Sequence, residues 1–238
     1  GRPSLLSVLT CLLAVALPGA VPPNIVAEGV PAVTPALTTE LTPYLNLGGA
    51  GFRGWHATRR EALVTTRVGD ASHLHLMAAP LAKRVALTGG VEPVKSGRMQ
   101  PGGTLLLYAA DRGGDENYQL HLKDLADPQA KPARLTDGKS RNLSACWSPD
   151  GRRIAYATNR RNGKDNDIVV VEARPPYAER IVHAGTSSGW SPVEWSPDGA
   201  RLLLRQSLGQ TETRLWTMDV ATTTKSQVTS RTERHYYA

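Results

Sequence analysis

The sequence predicts an all-β chain folded as a β-propeller, and three observations carry that prediction. The first is a repeat: Trp147-Ser148-Pro149-Asp150-Gly151 returns as Trp195-Ser196-Pro197-Asp198-Gly199, 48 positions on. The second is its extension backwards. Another 48 positions before Trp147 stands Met99, followed by Gln100-Pro101-Gly102-Gly103 and Leu105-Leu106-Leu107-Tyr108. A weaker copy opens at Trp55 and runs from Glu61 to Arg67. The third is the character of the apolar runs: Leu105 to Tyr108, Ile168 to Val171 and Leu202 to Leu204 are apolar on successive residues, as expected of sheets covered on both faces. A period in the forties with strand-like content in every unit is what blades of about four strands require.

Taken in order, the chain begins with Arg2, an apolar run from Leu5 to Leu17 and small residues at 14–16 and 19–20, the pattern of a signal peptide over 1–20. That run is too short to span a bilayer, so export to the periplasm or the outside is expected, with no membrane span. Residues 21–50 hold five prolines and no periodicity, which predicts an extended leader. Four blades follow, at about 51–90, 91–138, 139–185 and 186–230. The third is the cleanest, with strands expected at Leu143–Trp147, Arg153–Thr158, Ile168–Glu172 and Glu179–His183. Residues 231–238 read as the start of a fifth blade, which makes the ring incomplete and the sequence a fragment of a longer protein.

Ser-Pro-Asp-Gly fits the turn between the first two strands of a blade. Proline presets φ at the first corner, Asp tolerates the bridge region and Gly takes a positive φ. Composition narrows the function. The 28 Lys and Arg against 21 Asp and Glu give a net charge of +7, but the basic residues are scattered through every repeat rather than gathered for nucleic acid. Of the two cysteines, Cys11 lies in the signal peptide, so the mature chain has no internal disulfide and Cys146 is a small buried apolar residue.

The polar loops after each second strand are the natural contact surface: Thr66 to Ser72, Asp111 to Asn117 and Asn159 to Asp167, with inter-blade connections such as Thr136 to Asn142 on the same face. Arg67, Arg112 and Arg160 recur at one repeat position and are expected to form structural ion pairs with loop carboxylates. Glu116 has no acidic counterpart in blade 1 and only Asn166 in blade 3, which leaves it the candidate for a blade-specific ligand contact beside the plainer role of a solvated turn carboxylate. His73 and His75 alternate on a strand, but His75 is a repeat position matched by His121, so no metal site is expected. Asp165-Asn166-Asp167 lacks the Gly and distal Glu of a calcium loop. No Gly-x-Ser-x-Gly elbow is present, and no cofactor is implied.

The run from Tyr108 through Asp111-Arg112-Gly113-Gly114-Asp115-Glu116-Asn117 to Leu120, with Arg134-Leu135-Thr136-Asp137-Gly138, the two Trp-Ser-Pro-Asp-Gly turns and Arg161 to Ile168, resembles the propeller of prolyl oligopeptidase-family serine peptidases over about residues 41–230. The turns alone are equally similar to TolB-like periplasmic propellers. The resemblance implies a propeller that gates and positions peptide substrates for a C-terminal α/β-hydrolase domain carrying Ser, Asp and His. That domain is not within these residues, so no catalytic residue is assigned and the chain alone is expected to be inactive. Some family members clamp the substrate amino terminus with propeller carboxylates, and Glu116 is the residue here that the resemblance offers for it. The alternative is a TolB-like propeller that binds protein partners.

Overall fold

A computed structural model describes residues 26, 28–31, 33–45, 48–69, 71–127 and 129–229, in two units divided between Gly48 and Gly49. The expected signal peptide at 1–20 and the expected fifth-blade start at 231–238 lie outside the described residues. In the first unit, eleven residues of the segment expected to be extended form a helix instead, α1 (Pro35–Leu45). The physical reason is its capping. Thr34 Oγ1 accepts from the Leu37 amide at 3.2 Å, and Pro35 occupies the first helical position, where its missing N–H is no loss. Pro43 sits in the last turn, close to where the helix ends.

In the second unit every sheet is a four-stranded antiparallel meander in which consecutive strands are neighbours. Blade 1 is β1 (Ala50–Trp55), β2 (Ala62–Val68), β3 (Ala71–Met77) and β4 (Val85–Ala86). Blade 2 is β5 (Val94–Met99), β6 (Leu105–Ala110), β7 (Gln119–Asp124) and β8 (Ala133–Arg134). Blade 3 is β9 (Asn142–Trp147), β10 (Arg153–Thr158), β11 (Asp167–Glu172) and β12 (Glu179–His183). Blade 4 is β13 (Trp190–Trp195), β14 (Arg201–Ser207), β15 (Thr213–Asp219) and β16 (Lys225–Gln227). The strands of blade 3 lie within one residue of the positions its sequence indicates.

The successive apolar residues do what a sheet covered on both faces demands. In β10, Ile154 and Tyr156 point into a core with Leu107, Leu120 and Leu122 of blade 2, while Ala155 and Ala157 point into a core with Leu202, Leu204 and Met218 of blade 4. A third core joins Leu63, Leu74, Leu76 and Leu87 of blade 1 to Val94 and Leu106 of blade 2. These cores run 1 to 2, 2 to 3 and 3 to 4, and none among the described residues joins blade 4 back to blade 1. The blades form an open arc of a propeller.

The Ser-Pro-Asp-Gly turns behave as their chemistry requires. Ser148 Oγ donates to Asp150 Oδ1 at 2.6 Å and accepts from the Arg153 amide at 2.9 Å, and Gly151 takes a φ of 67°. Ser196, Asp198 and Gly199 repeat the arrangement. A side chain at Gly151 would meet the Pro101 carbonyl oxygen at 2.6 Å, because the turn of blade 3 abuts that of blade 2. The tryptophan that precedes each turn is an inter-blade staple. Trp147 Nε1 donates to the Arg98 carbonyl and Trp195 Nε1 to the Cys146 carbonyl, both at 3.3 Å, so each indole ties its blade to the first strand of the preceding one.

Each first strand also carries a β-bulge, which the repeat does not announce. The extra residue is Arg53 in β1, Lys95 in β5 and Val193 in β13; in β9, Ser144 and Ala145 together oppose Tyr156. Bulges bend a strand and re-aim its side chains. Ser144 has a φ of 54°, a conformation that L residues seldom adopt.

Candidate functional site

In blades 2 and 3 the polar loops are positioned from below by one residue at the start of the third strand. Gln119, the first residue of β7, accepts at Oε1 from Thr136 Oγ1 (2.7 Å) and the Gly138 amide (2.8 Å), and donates from Nε2 to the carbonyls of Asn117 (2.7 Å) and Ser140 (2.8 Å). Asp167 does the same in blade 3. Its Oδ1 accepts from the Gly185 amide at 2.9 Å, and its carboxylate takes a bidentate bond from Arg161, whose Nη2 also reaches the Gly185 carbonyl at 2.6 Å. In both blades the loop after the second strand and the connection to the next blade are therefore bonded into one surface.

Between blades 1 and 2 this surface opens into a groove of about 670 Å³. Its wall is the face of blade 2 that looks toward blade 1, where Tyr108 stacks on His121 with ring centroids 5.0 Å apart. Burial, then Arg134, pushes the His121 imidazole below its ordinary pKa, and burial pushes the Tyr108 phenol up, so both rings are neutral at pH 7. Lys123 and Arg134 line one part of the groove, with Lys123 Nζ donating to the Leu87 carbonyl at 2.8 Å. Glu92, Asp111 and Asp115 line another. These carboxylates also shape the loop: Glu92 accepts from the Gly113 amide (2.9 Å), Asp111 from the Glu116 amide (3.1 Å) and Asp115 from the Asn117 amide (2.9 Å).

Glu116 lies on the rim of this loop rather than among the residues lining the groove. It has a φ of 57°, and its side chain is 67 % exposed, 3.9 Å from the Arg141 guanidinium. An ion pair that long and that exposed contributes little to stability. Among the repeated arginines, Arg160 forms the expected ion pair, at 2.5 Å from Glu179, whose other oxygen accepts from the Tyr156 hydroxyl at 2.9 Å. Arg112 forms none among the described residues and lines the groove.

The remaining candidates are structural. His75 Nδ1 is 3.0 Å from Thr66 Oγ1 and His73 Nε2 is 3.0 Å from the Gly90 carbonyl. Cys146 is buried, and burial pushes its thiol up to about 12, which leaves no thiolate for nucleophilic chemistry. Glu92 was missed by sequence reasoning, and Asp111 was read only as part of the polar loop from Asp111 to Asn117. Asp111 falls in the acidic run that draws attention to Glu116, whereas Glu92 sits in an unremarkable connection and reaches the site only through the packing of blade 1 on blade 2. Among the described residues, no helix is long and apolar enough to cross a membrane.

Comparison with known proteins follows the fold. No curated protein sequence is significantly similar to this one. The chain resembles TolB from Acinetobacter baumannii with a TM-score of 0.56 at 22% identity, covering 72% of this chain and 41% of that one. It resembles a puromycin-hydrolyzing peptidase of Mycobacterium tuberculosis with a TM-score of 0.61 at 14% identity, covering 78% and 32%. It resembles prolyl oligopeptidase B from Galerina marginata with a TM-score of 0.53 at 16% identity, covering 71% and 29%. The chain thus spans less than half the length of each of these structures, and at such identities the likeness is one of fold. The family model for the prolyl oligopeptidase N-terminal β-propeller domain matches residues 89–238, which take in blades 2, 3 and 4, and the chain belongs to that family.

Proposed function

We propose that this chain is the propeller of an exported prolyl oligopeptidase-like serine peptidase, gating and positioning peptide substrates for an α/β-hydrolase domain. The family match over residues 89–238 carries this reading. The loop face supports it. In a chain of net charge +7, the loop after β6 and the connection before β5 gather Glu92, Asp111, Asp115 and Glu116, a local reversal of sign suited to a cationic group.

The α-ammonium of a peptide is such a group, and Glu116 is its proposed contact. Its carboxylate is exposed and only loosely opposed by Arg141, while its backbone is fixed by the bond to Asp111. A charge-assisted contact of this kind contributes about 1.5–3 kcal/mol when shielded from water, as closure of a catalytic domain over the loop face would shield it. The test is kcat/KM for Glu116→Gln in the full-length enzyme, on matched peptides with free and acetylated amino termini. A loss of about tenfold or more confined to the free-amine peptide is expected. An equal change on both peptides would leave Glu116 a solvated turn residue.

The second reading, a TolB-like propeller that binds protein partners, has the likeness to the Acinetobacter baumannii TolB in its favour. It predicts that the full reading frame carries no hydrolase domain and no peptidase activity.

A further inference from the structure

A second hollow, away from the groove, lies over the first strand of blade 3. It has a volume of about 190 Å³ and is lined by Arg98 of β5, Ser144 to Cys146 of β9, Ser191 to Val193 of β13 and Arg205 of β14. Two basic side chains from the blades on either side of β9 therefore converge on one small space. Neither guanidinium makes a hydrogen bond or an ion pair among the described residues, whereas Arg59, Arg141, Arg160, Arg161 and Arg214 all face carboxylates. Ser191 is the second observation. It is only 8 % exposed, it lines the hollow, and its hydroxyl has no hydrogen-bond partner among the described residues. A hydroxyl without a protein partner on the wall of a cavity is a ready donor to a ligand there.

The backbone is shaped for the same space. The bulge of β9 places Ser144 and Ala145 at the hollow, with Ser144 held at a φ of 54°, and the bulge of β13 does the same for Val193. Of the other polar side chains on the lining, Ser144 is uncharged and the Cys146 thiol is kept protonated by burial, so neither brings a competing charge. Two unpaired guanidiniums with planar donor forks and a hydroxyl donor match an oxyanion with two acceptor oxygens.

We propose that this hollow binds the side-chain carboxylate of an acidic residue in a peptide, held by Arg98 and Arg205 with Ser191 as a third donor. The proposal rests on the reading of a peptide ligand given above and adds a preference within it: substrates or partners with Glu or Asp at one position. Glu194, which follows the bulge of β13, acts electrostatically on Cys146 but forms no ion pair with either arginine among the described residues, which leaves both free for a ligand.

The test is titration calorimetry of the whole chain with two N-acetylated peptide amides that differ only in a central Glu or Gln. Blocking the amino terminus removes any contribution from Glu116. The Glu peptide is expected to bind at least about tenfold more tightly, the margin of a charge-assisted pair over a neutral one. Arg98→Gln and Arg205→Gln should each abolish most of that preference without changing the melting temperature. Ser144→Asp, which suits a positive φ and places a carboxylate in the hollow, should abolish it as well. Equal binding of both peptides would overturn the carboxylate site while leaving the peptide reading intact, and binding of neither would overturn both. A preference that survives the double arginine substitution, or inorganic phosphate binding at the arginines with no distinction between the peptides, would also overturn the proposal.

Discussion

The junction between blades 3 and 4 and the junction between blades 1 and 2 are built from the same repeat and end up different. At the first, Trp195 is buried, its N–H is bonded to the Cys146 carbonyl, and the Arg153 guanidinium covers its ring at 4.7 Å while bonding the Gly199 carbonyl at 2.8 Å. The core beneath is apolar from Trp190 to Met218. At the second, the staple position is held by Met99, whose side chain has no N–H to donate, and the face of blade 2 carries Gln119, His121 and Lys123 where blade 4 carries Arg214, Trp216 and Met218. The first junction is filled by an apolar core beneath its tryptophan; the second opens into the groove. One tryptophan and two third-strand residues decide whether a repeat unit seals against its neighbour or leaves a binding space beside it.

The largest expected effect follows from the staple. Trp195→Ala removes a buried ring and an inter-blade hydrogen bond, and should cost about 3–5 kcal/mol in urea unfolding. Trp55→Ala, at the same repeat position in blade 1, should be nearly neutral, because that ring is 68 % exposed and has no preceding blade among the described residues to seat it. Equal losses at the two positions would break the comparison.

An intermediate effect is expected from acid. His183 lies edge-on to Trp190 at 4.4 Å, and burial, then Lys225, lowers its pKa from 6.5 to about 4. The unfolded chain takes up this proton near 6.5 and the native state only near 4. Between those values the unfolded state binds more protons, so stability falls as pH falls. The contribution at stake is roughly 1–2 kcal/mol once solvent screening of the half-buried ring is allowed for. The drop in melting temperature from pH 7 to pH 4.5 should therefore be smaller in His183→Gln, and an unchanged drop would count against a neutral buried imidazole.

Much of this architecture was legible before any coordinates. The 48-residue spacing and the Ser-Pro-Asp-Gly turns located the strands of blade 3 to within a residue, because turn chemistry and two-face burial act locally and leave their pattern in the chain. The helix at Pro35–Leu45 was not legible, since five prolines argue for extension and only the Thr34 cap argues against it. The site was legible in part. The acidic run that contains Glu116 stood out, but the groove needs Glu92 and Asp111 brought together by packing. The hollow between Arg98 and Arg205 depends on bulges and on three blades meeting, neither of which has a signature in sequence. Arg160 behaved as a structural ion pair and Arg112 did not, although the repeat treats them alike.

The smallest expected effect is a paired one. Tyr156 and Tyr108 occupy equivalent positions, but only the Tyr156 hydroxyl has a partner among the described residues, Glu179. Tyr156→Phe should cost about 1 kcal/mol and Tyr108→Phe close to nothing. A larger loss at Tyr108 in thermal unfolding would mean that the groove wall bears on the fold as much as the closed junction does.

Native-state hydrogen exchange tests the central claim most directly, that the stapled junctions hold the fold while the junction beside the groove opens. Amides of Ala155 and Val170, covered on both sides by sealed junctions, should exchange only through global unfolding. Amides of Leu63 and Leu76, on the blade 1 side of the groove, should exchange through a partial opening about 2 kcal/mol below that limit. The same opening free energy at all four positions would contradict the account.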